Sequence, residues 1–297
     1  LANTTTGPIQ ASAYLPYGYG ATFARIAGDV AVNPNQATNH QFDEGQYGLT
    51  TLIHELGHSL GLEHPGAYNF GPGFDVIYEN GAEYYQDSAQ YSIMSYWDAE
   101  ETGANRVNWE TLNYNYASTP SVHDVAAIQR IYGADMTTRT GNNVYGFNTT
   151  EEEGGSFDFE NNRYPVVTIW DAGGNDTLDL SGFDTPSVID LNRGQSSSAG
   201  GFYSEDIPTL AEINARRAEL GLAPRTQGTY DLYLELFGDS YTNGLLTDNI
   251  AIAYGVTIEN AVGGAGDDMI ISNAVANNLN GGSGFDTVSY KSAHSGV

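Results

Sequence analysis

Three of the six histidines in this 297-residue sequence fall in one short segment, HELGHSLGLEH at residues 54–64. On a helix, His54 and His58 project from the same face with their Cβ atoms about 5–6 Å apart, which suits two imidazoles that bind one ion. Gly61 permits a sharp turn after the helix, and this turn returns His64 as a third nitrogen ligand. Three neutral imidazoles leave one coordination position open, which is typical of a catalytic zinc site.

Two further features extend this pattern. Glu55 lies beside His54 and can reach a metal-bound water without binding the ion, so it is the candidate general base. The spacing HExxHxxGxxH is the metzincin signature, which a Met-turn completes, and SIMSYW at 92–97 supplies Met94 for that turn. The alternative is that these are helix-surface histidines beside an incidental glutamate. It is weaker for the full motif than for HExxH alone.

The composition narrows the class of partner. Asp and Glu number 37 against 10 Lys and Arg, which gives a formal charge of −27. This charge argues against nucleic acid and anionic membrane surfaces as partners. It favours bound cations that neutralise part of the charge. The alternative explanation is an acidic, very soluble protein from a salty environment. The sequence has no cysteine, so disulfides and thiolate metal sites are excluded. It shows no apolar run of membrane-spanning length and no ordinary N-terminal export signal.

Residues 1–136 mix strand and helix patterns. Segments 9–17 and 27–32 have the composition of strands. An apolar stripe predicts a helix over 47–62, and a second helix is expected over 121–132 with Ser121 as its N-cap.

The residue pattern changes near Thr137, where short β-type runs begin to alternate with Gly/Asn/Asp clusters. We therefore place a domain boundary there. A single helix is expected to interrupt this strand-type pattern over 208–220, with Asp206 as its N-cap.

Three nine-residue blocks in unbroken register begin at residues 263, 272 and 281. The first and third fit the calcium-binding nonapeptide G-G-x-G-x-D-x-U-x, whereas the second keeps only its apolar eighth position, Leu279. Residues 171–179 match in part. Glycines allow tight turns whose carbonyls face a cation and aspartate adds charge, so the blocks predict calcium sites rather than generic Gly/Asp loops.

The segment HELGHSLGLEHPGAYN followed by YSIMSYW resembles the serralysins, which are secreted bacterial metalloendopeptidases of the metzincin clan. Pro65 distinguishes this group from the astacins, matrixins and adamalysins. The resemblance extends through 138–148, 169–182 and 254–264. It implies an α+β metzincin-like catalytic domain in 1–136, with a zinc helix and a mixed sheet. An all-β parallel β-roll or sandwich is implied in 137–297, with a helical insertion near 206–225.

The resemblance also implies a role for each residue of the zinc site. The expected zinc ligands are His54, His58 and His64, with Glu55 as general base. Met94 would form the hydrophobic floor, and Tyr96 would ligate zinc and swing away to stabilise the transition state. An extended substrate would pair with the edge of the strand formed by Ala11, Ser12, Ala13 and Tyr14. The alternative is that this strand has a purely structural role.

Carried over position by position, the resemblance implies three structural calcium sites. The first would use the carbonyls of Arg139, Gly141 and Asn143 together with Asp171, Gly173 and Asp176. The second would use Gly174, Asp176, Thr257 and Glu259. The third would use Gly264, Gly266, Asp268, Gly281, Ser283 and Asp286.

The expected function is therefore that of a secreted zinc endopeptidase stabilised by calcium. The alternative is a catalytically inactive calcium-binding RTX scaffold or adhesin. Expected partners are protein or peptide substrates, and a protein inhibitor and a separate N-terminal fragment remain open. Serralysins have more residues before the zinc helix than the 53 found here, and they continue to a C-terminal secretion signal beyond Val297. We therefore expect a fragment or processed form. His40, His123 and His294 are expected to be structural.

Overall fold

The computed structural model describes residues 9–17, 24–68 and 76–293. The chain divides into two compact units, each described separately below. The first comprises Leu1–Thr102 and Tyr116–Asp135, and the second comprises Gly103–Asn115 and Met136–Val297. None of the helices in the described ranges combines the length and apolar character needed to cross a membrane.

The first unit contains a two-stranded antiparallel sheet, in which β1 (Ala11–Ala13) pairs with β2 (Val30–Val32). Its helices are α1 (Tyr47–Ser59), α2 (Tyr78–Gly81) and α3 (Val122–Tyr132). Short 3-10 helices span Ala24–Ile26, Ala37–His40 and Ala99–Thr102.

The sequence predicts helix α1 but not the face that it buries. Leu56 and Leu60 of the apolar stripe are exposed, whereas Thr51, Glu55 and two glycines of the helix are buried. A Cβ at Gly48 would lie 2.3 Å from the Gln41 carbonyl oxygen, so neighbouring backbone approaches this face too closely for a larger side chain. The buried face is therefore the one that carries Glu55.

Helix α3 has the ends that the sequence predicts. Ser121 is its N-cap residue, and the Ser121 backbone N–H donates to Asp124 Oδ2 at 2.8 Å. The helix ends at Gly133, whose φ of 86° lies in a region that residues with a Cβ rarely adopt. The N-terminal turn of α3 thus has a buried carboxylate, that of Asp124, near its free N–H groups.

The second unit is built mainly from short strands in four sheets. Its strands are β3 (Val107–Asn108), β4 (Asn113–Tyr114), β5 (Val144–Gly146), β6 (Val167–Ile169), β7 (Thr177–Asp179), β8 (Val188–Asp190), β9 (Ser196–Ser197), β10 (Ile250–Ile252), β11 (Asn260–Val262), β12 (Met269–Ile271), β13 (Asn278–Asn280) and β14 (Thr287–Ser289). The sheet orders are β13-β11-β7-β5, β14-β12-β8, β6-β10-β9 and β3-β4.

Two of these sheets are entirely parallel and follow the nonapeptide register. Met269 pairs with Thr287 and Asn260 with Asn278, which in each case is a separation of 18 residues, or two nonapeptides. Successive blocks therefore supply strands to alternate sheets. Ile270, at the apolar eighth position of the first block, is fully buried. This mixed fold with parallel sheets is consistent with the expected β-roll.

The helical insertion consists of two helices, so the prediction of a single helix is incomplete. Helix α4 spans Leu210–Glu219 and α5 spans Gln227–Phe237. The predicted cap, Asp206, is also wrong. Thr209 is the N-cap residue, since the Thr209 N–H donates to Glu212 Oε2 at 2.8 Å and the Glu212 N–H donates to Thr209 Oγ1. This reciprocal pair is a capping box.

Both helices pack against the β3–β4 hairpin within the second unit. The shared core consists of Val107, Trp109, Leu112, Ile213 and Phe237. Charged groups add to it. Arg216 Nε lies 2.6 Å from Glu110 Oε1, and buried Arg217 donates from Nη1 to the Thr111 carbonyl at 2.6 Å. The insertion and the hairpin therefore form one packed layer.

We expect Ile213→Ala to destabilise this layer by about 2–5 kcal/mol, because it leaves a cavity beneath α4. Peptide-resolved hydrogen exchange should show faster opening of α4 and of the β3–β4 hairpin together. Leu220→Ala is the matched control, since Leu220 is exposed at the end of α4, and should change stability by at most about 0.5 kcal/mol. Equal effects of the two substitutions would contradict the shared core.

Candidate metal centre

Three imidazole rings converge beside helix α1. His58 Nε2 lies 3.1 Å from His64 Nε2, and His64 Nε2 lies 3.3 Å from His54 Nε2. Among the described residues, these three form the single group of His, Cys, Asp or Glu side chains whose potential ligand atoms all lie within 4.8 Å of one another. The structure thus brings together the three predicted zinc ligands.

Each of these rings is held at its other nitrogen by a backbone carbonyl. His54 Nδ1 lies 2.8 Å from the Ile93 oxygen, His58 Nδ1 lies 2.7 Å from the Leu62 oxygen and His64 Nδ1 lies 3.1 Å from the Tyr68 oxygen. A carbonyl oxygen can only accept, so each Nδ1 carries the proton and each neutral ring turns the lone pair of its Nε2 towards the other two. A carbonyl partner of this kind usually orients metal-binding histidines.

The protonation state of the rings suits a metal ion. Burial lowers the pKa of His54 to about 4 and, with the nearby charge of His58, lowers that of His64 to about 4. The pKa of His58 is also lowered by burial. All three rings are therefore neutral near pH 7, with three lone pairs and no proton between them. This donor set fits zinc, which takes neutral imidazole nitrogen and needs three protein ligands in a catalytic site.

The turn at Gly61 places the second and third histidines. Gly61 has a φ of 101°, its N–H donates to the His58 carbonyl, and the Leu62 N–H donates to the Gly57 carbonyl. This pair of bonds is a Schellman motif, for which glycine is the favoured residue. The same turn directs the Leu62 carbonyl at the His58 ring, so ending the helix and orienting a ligand are one local event.

Glu55 is adjacent to the histidines and is not among the converging atoms. Its side chain is 8% exposed, and its Oε2 is buried with no hydrogen-bond partner. Burial raises the pKa of Glu55 to about 7. A carboxyl group of this kind exchanges protons near neutral pH, which suits a general base.

Met94 packs against helix α1, and Tyr96 lies beside the histidine rings. Met94 is 1% exposed, and a Cβ placed on Gly57 would lie 2.6 Å from its sulfur, so the turn fits closely against α1. The Tyr96 ring lies 4.3 Å from the His64 ring and 5.9 Å from the His54 ring, measured between centroids. The structure therefore places Tyr96 beside two of the rings and Met94 against the helix that carries His54 and His58.

Sequence reasoning does not identify the groups that hold this arrangement. Asp124 is buried at the start of α3, where its Oδ1 accepts from Ser92 Oγ at 2.6 Å and its Oδ2 accepts from the Ile93 N–H at 2.8 Å. The Ile93 carbonyl in turn accepts from His54. Asp124 therefore fixes the loop that orients the first histidine. The sequence signal that could have identified Asp124 is its position three residues after the N-cap serine.

The predicted substrate strand lies in the first unit. Ala11, Ser12 and Ala13 form β1, which β2 borders on one side, and Tyr14 continues the pairing through its N–H to the Asp29 carbonyl at 2.9 Å. Its role in binding stays a prediction.

Part of the predicted first and second calcium sites comes together around Asp176. Asp176 Oδ1 accepts from the Asn143 N–H at 2.8 Å, and the Asp176 N–H donates to Glu259 Oε2 at 2.9 Å. Asp176 Oδ2 is buried without a partner. Burial, reinforced by the charges of Asp171 and Glu259, raises the pKa of Asp176 to about 6. Uncompensated carboxylates of this kind fit a calcium ion.

The close approach of Gly141 and Gly174 belongs to the same region. A Cβ on Gly174 would lie 1.8 Å from the Gly141 carbonyl oxygen. Only glycine fits at this position, which leaves a carbonyl facing the carboxylates.

The predicted third site has similar geometry. Asp268 Oδ2 accepts from the Gly264 N–H at 2.7 Å, and Asp286 Oδ1 accepts from the Asp268 N–H at 3.1 Å. The Ser283 N–H donates to the Gly264 carbonyl at 2.9 Å. Burial, with the charge of Asp286, raises the pKa of Asp268. At the predicted first site, the Gly173 N–H donates to Asp171 Oδ1 at 2.6 Å.

The other histidines lie away from the convergent rings. His40 Nε2 contacts the Pro34 carbonyl at 2.9 Å. The His123 ring stacks on Tyr91 with 5.3 Å between centroids. His294 lies outside the described residues.

The second unit is similar to a known protein family. Residues 134–209 and 230–297 match the family model described as Peptidase M10 serralysin C terminal. The gap between the matched ranges, residues 210–229, contains all of α4 and the start of α5. The second unit therefore carries the C-terminal domain of the serralysins.

Individual relatives extend the similarity into the histidine segment. The chain is 39% identical to Serralysin C of Dickeya chrysanthemi over 88% of its length, 37% to Serralysin of Proteus mirabilis over 92%, and 38% to Metalloprotease AprA of Pseudomonas entomophila over 91%. The predicted resemblance is confirmed, and the chain is related to the serralysin-type metalloproteases. It spans 43–45% of the length of these relatives.

We expect Asp124 to make the first unit less stable as the pH rises. Burial raises its folded-state pKa to about 6 from an ordinary 3.8. The folded state therefore binds this proton more tightly, and the associated stability, on the order of 3 kcal/mol, is present below about pH 4 and lost as the pH rises through about 6.

Asp124→Asn removes this titration while leaving the histidines in place. The free energy of unfolding of the wild type minus that of Asp124→Asn should fall between about pH 4 and pH 6 and then level off. Urea denaturation followed by pulsed hydrogen–deuterium labelling of α3 measures it. A difference that stays constant from pH 4 to pH 8 would contradict the raised pKa.

Proposed function

We propose that this chain contains the metal centre of a serralysin-type zinc endopeptidase, with His54, His58 and His64 as the zinc ligands. The observation that carries the proposal is the convergence of three Nε2 lone pairs, each fixed by a carbonyl at Nδ1. The metalloprotease names of the relatives support it.

Zinc bound there would supply Lewis acidity to a water molecule and to the scissile carbonyl. The chain's own residues provide the remaining steps. Glu55 accepts the proton of the attacking water and later passes it to the leaving amine. The Tyr96 hydroxyl donates a hydrogen bond to the oxygen on which negative charge develops. Met94 closes the apolar floor beneath the rings.

We further propose that residues 11–14 hold an extended peptide substrate. A strand edge recognises a peptide through main-chain hydrogen bonds, and β1 has a single partner, β2, in the sheet as described. Protein or peptide substrates follow from this proposal, as does an extracellular location like that of the serralysins. A protein inhibitor and a separate N-terminal fragment remain proposed partners.

For the second unit we propose a calcium-binding role at the three predicted sites. The buried, unpartnered oxygen of Asp176 and the repulsion among its acidic neighbours support the first two sites. The glycine turns that carry Asp268 and Asp286 support the third. In this proposal the residues before about 137 form the catalytic domain, apart from Gly103–Asn115, which fold with the second unit, and those after it form the calcium domain.

The alternative function, a calcium-binding scaffold or adhesin without activity, is less well supported. It requires no intact set of histidines, glutamate, methionine and tyrosine, yet the sequence keeps all six, and the three histidines and Tyr96 lie together.

We expect Glu55→Ala to reduce casein hydrolysis by about 10²–10⁴-fold, because it removes the proton acceptor. Zinc content should stay at one ion per chain, since Glu55 is not a ligand in this proposal. Removal of zinc with 1,10-phenanthroline should also abolish activity. Glu79→Ala, at an exposed position, is the control. Hydrolysis that persists in Glu55→Ala would sink the proposed mechanism.

We expect EGTA to loosen the second unit more than helix α1. Without calcium, the carboxylates around Asp176 repel one another, so strands β7, β11 and β12 should exchange amide hydrogens faster. Asp176→Asn should weaken calcium binding, whereas Asp231→Asn, at an exposed position on α5, should not. Identical exchange of the unit with and without calcium would argue against the proposed sites.

A further inference from the structure

His64 differs from the other two histidines because no helix positions it. His54 and His58 lie on α1, whereas His64 follows the Gly61 turn in a segment without regular structure. The ring is instead held by Tyr68, whose carbonyl accepts from His64 Nδ1 at 3.1 Å. The Tyr68 ring also stacks on the His64 ring, with 5.8 Å between centroids and 14° between planes.

Tyr68 also contacts the tyrosine of the metal centre. Its ring centroid lies 5.3 Å from that of Tyr96, with 41° between the ring planes. One side chain, itself not a ligand, therefore touches the third histidine and Tyr96. The position of Tyr68 fixes both.

Tyr68 is fixed in turn by Asp87, a carboxylate that is fully buried. Asp87 Oδ1 accepts from the Tyr68 hydroxyl at 2.7 Å and from Ser95 Oγ at 2.8 Å, and its Oδ2 accepts from the Glu83 N–H at 3.3 Å. None of the three salt bridges found in the described ranges involves Asp87. In the part of the chain that the structure describes, hydrogen bonds rather than an ion pair satisfy the two oxygens of this carboxylate.

We propose that Asp87 is a positioning residue of the metal centre, which acts through Tyr68 and Ser95 to hold the third histidine and Tyr96 in register. The Tyr68 and Ser95 hydroxyls both donate to Asp87 Oδ1 and lie 3.4 Å apart, and Ser95 directly precedes Tyr96, so one carboxylate oxygen ties Tyr68 to the residue before Tyr96. The proposal rests on the zinc-binding role proposed above. It assigns Asp87 no contact with metal or substrate.

Tyr68→Phe tests this role, because it removes the hydroxyl that binds Asp87 while keeping the ring and the carbonyl. Loss of an outer partner of a metal-binding histidine typically weakens metal affinity by about 10–100-fold. Because Tyr68→Phe keeps the carbonyl and only releases its anchor, we expect an effect at the low end of this range, about a 10-fold weaker zinc affinity. Competition of the full chain with a chromophoric chelator measures it. The visible spectrum of the Co²⁺-loaded chain, which reports ligand geometry, should also shift.

Tyr164→Phe is the matched control. The Tyr164 hydroxyl donates to Glu110 Oε2 at 2.6 Å in the second unit, so this variant also loses a tyrosine–carboxylate bond. It should lower stability to a similar degree and leave zinc affinity and the Co²⁺ spectrum unchanged. Ser95→Ala, which removes the other hydroxyl donor to Asp87, is a second test that stands even where Tyr68→Phe fails to fold, and it should also shift the Co²⁺ spectrum.

The outcomes separate the two proposals. A wild-type chain that binds zinc, with Tyr68→Phe and Ser95→Ala matching its affinity and spectrum, overturns the positioning role alone. The same holds if Tyr164→Phe weakens zinc affinity as much as Tyr68→Phe, since the effect would then be general destabilisation. A wild-type chain that binds no zinc overturns the proposed function and the positioning role with it.

Discussion

The first unit depends on one electrostatic constraint, the convergence of three imidazole lone pairs. Neutral rings whose Nε2 atoms approach to 3.1–3.3 Å, with no proton between them, repel one another unless a cation lies among them. Three backbone carbonyls, those of Ile93, Leu62 and Tyr68, keep the rings in this arrangement. Each carbonyl comes from a loop, which explains why buried carboxylates are used to hold two of those loops.

The second unit shows the complementary arrangement, in which charge rather than neutral donors is gathered. Asp176 lies near Asp171 and Glu259, and its raised pKa records the cost of burying the charge. The parallel coil with its 18-residue register brings such turns together at regular intervals. A chain with a formal charge of −27 therefore needs protons or cations at these turns to remain compact.

Much of this organisation is readable from the sequence because it depends on short periodic patterns. The histidine spacing identifies α1 and the turn at Gly61, and the nonapeptides identify the strands that follow them. The face that α1 buries is not readable, because it is set by close backbone contacts at glycines. Helix α5 is missed because its run of Tyr and Leu has the composition of a strand. Its packing on the β3–β4 core through Tyr233, Leu234 and Phe237, together with the Thr226 N-cap, favours the helix.

The residues that hold the metal centre are the hardest to predict. The acceptors for the three histidines are main-chain oxygens, which leave no trace in residue identity. Asp124 has a weak signal as the third residue after a helix cap. Asp87 has none, since its partners Tyr68 and Ser95 are distant in sequence and meet it only after the loop has folded.

The β3–β4 hairpin has a consequence for how the chain can be divided. The backbone passes between the units three times, after residues 102, 115 and 135, because Gly103–Asn115 folds with the second unit. A polypeptide truncated after residue 135 would retain Trp109 and Leu112 without the helices that cover them. Excision of the histidine-bearing part by a single cut would thus leave an apolar, aggregation-prone loop between the Met94 turn and α3. A short linker replacing 103–115 would remove that liability.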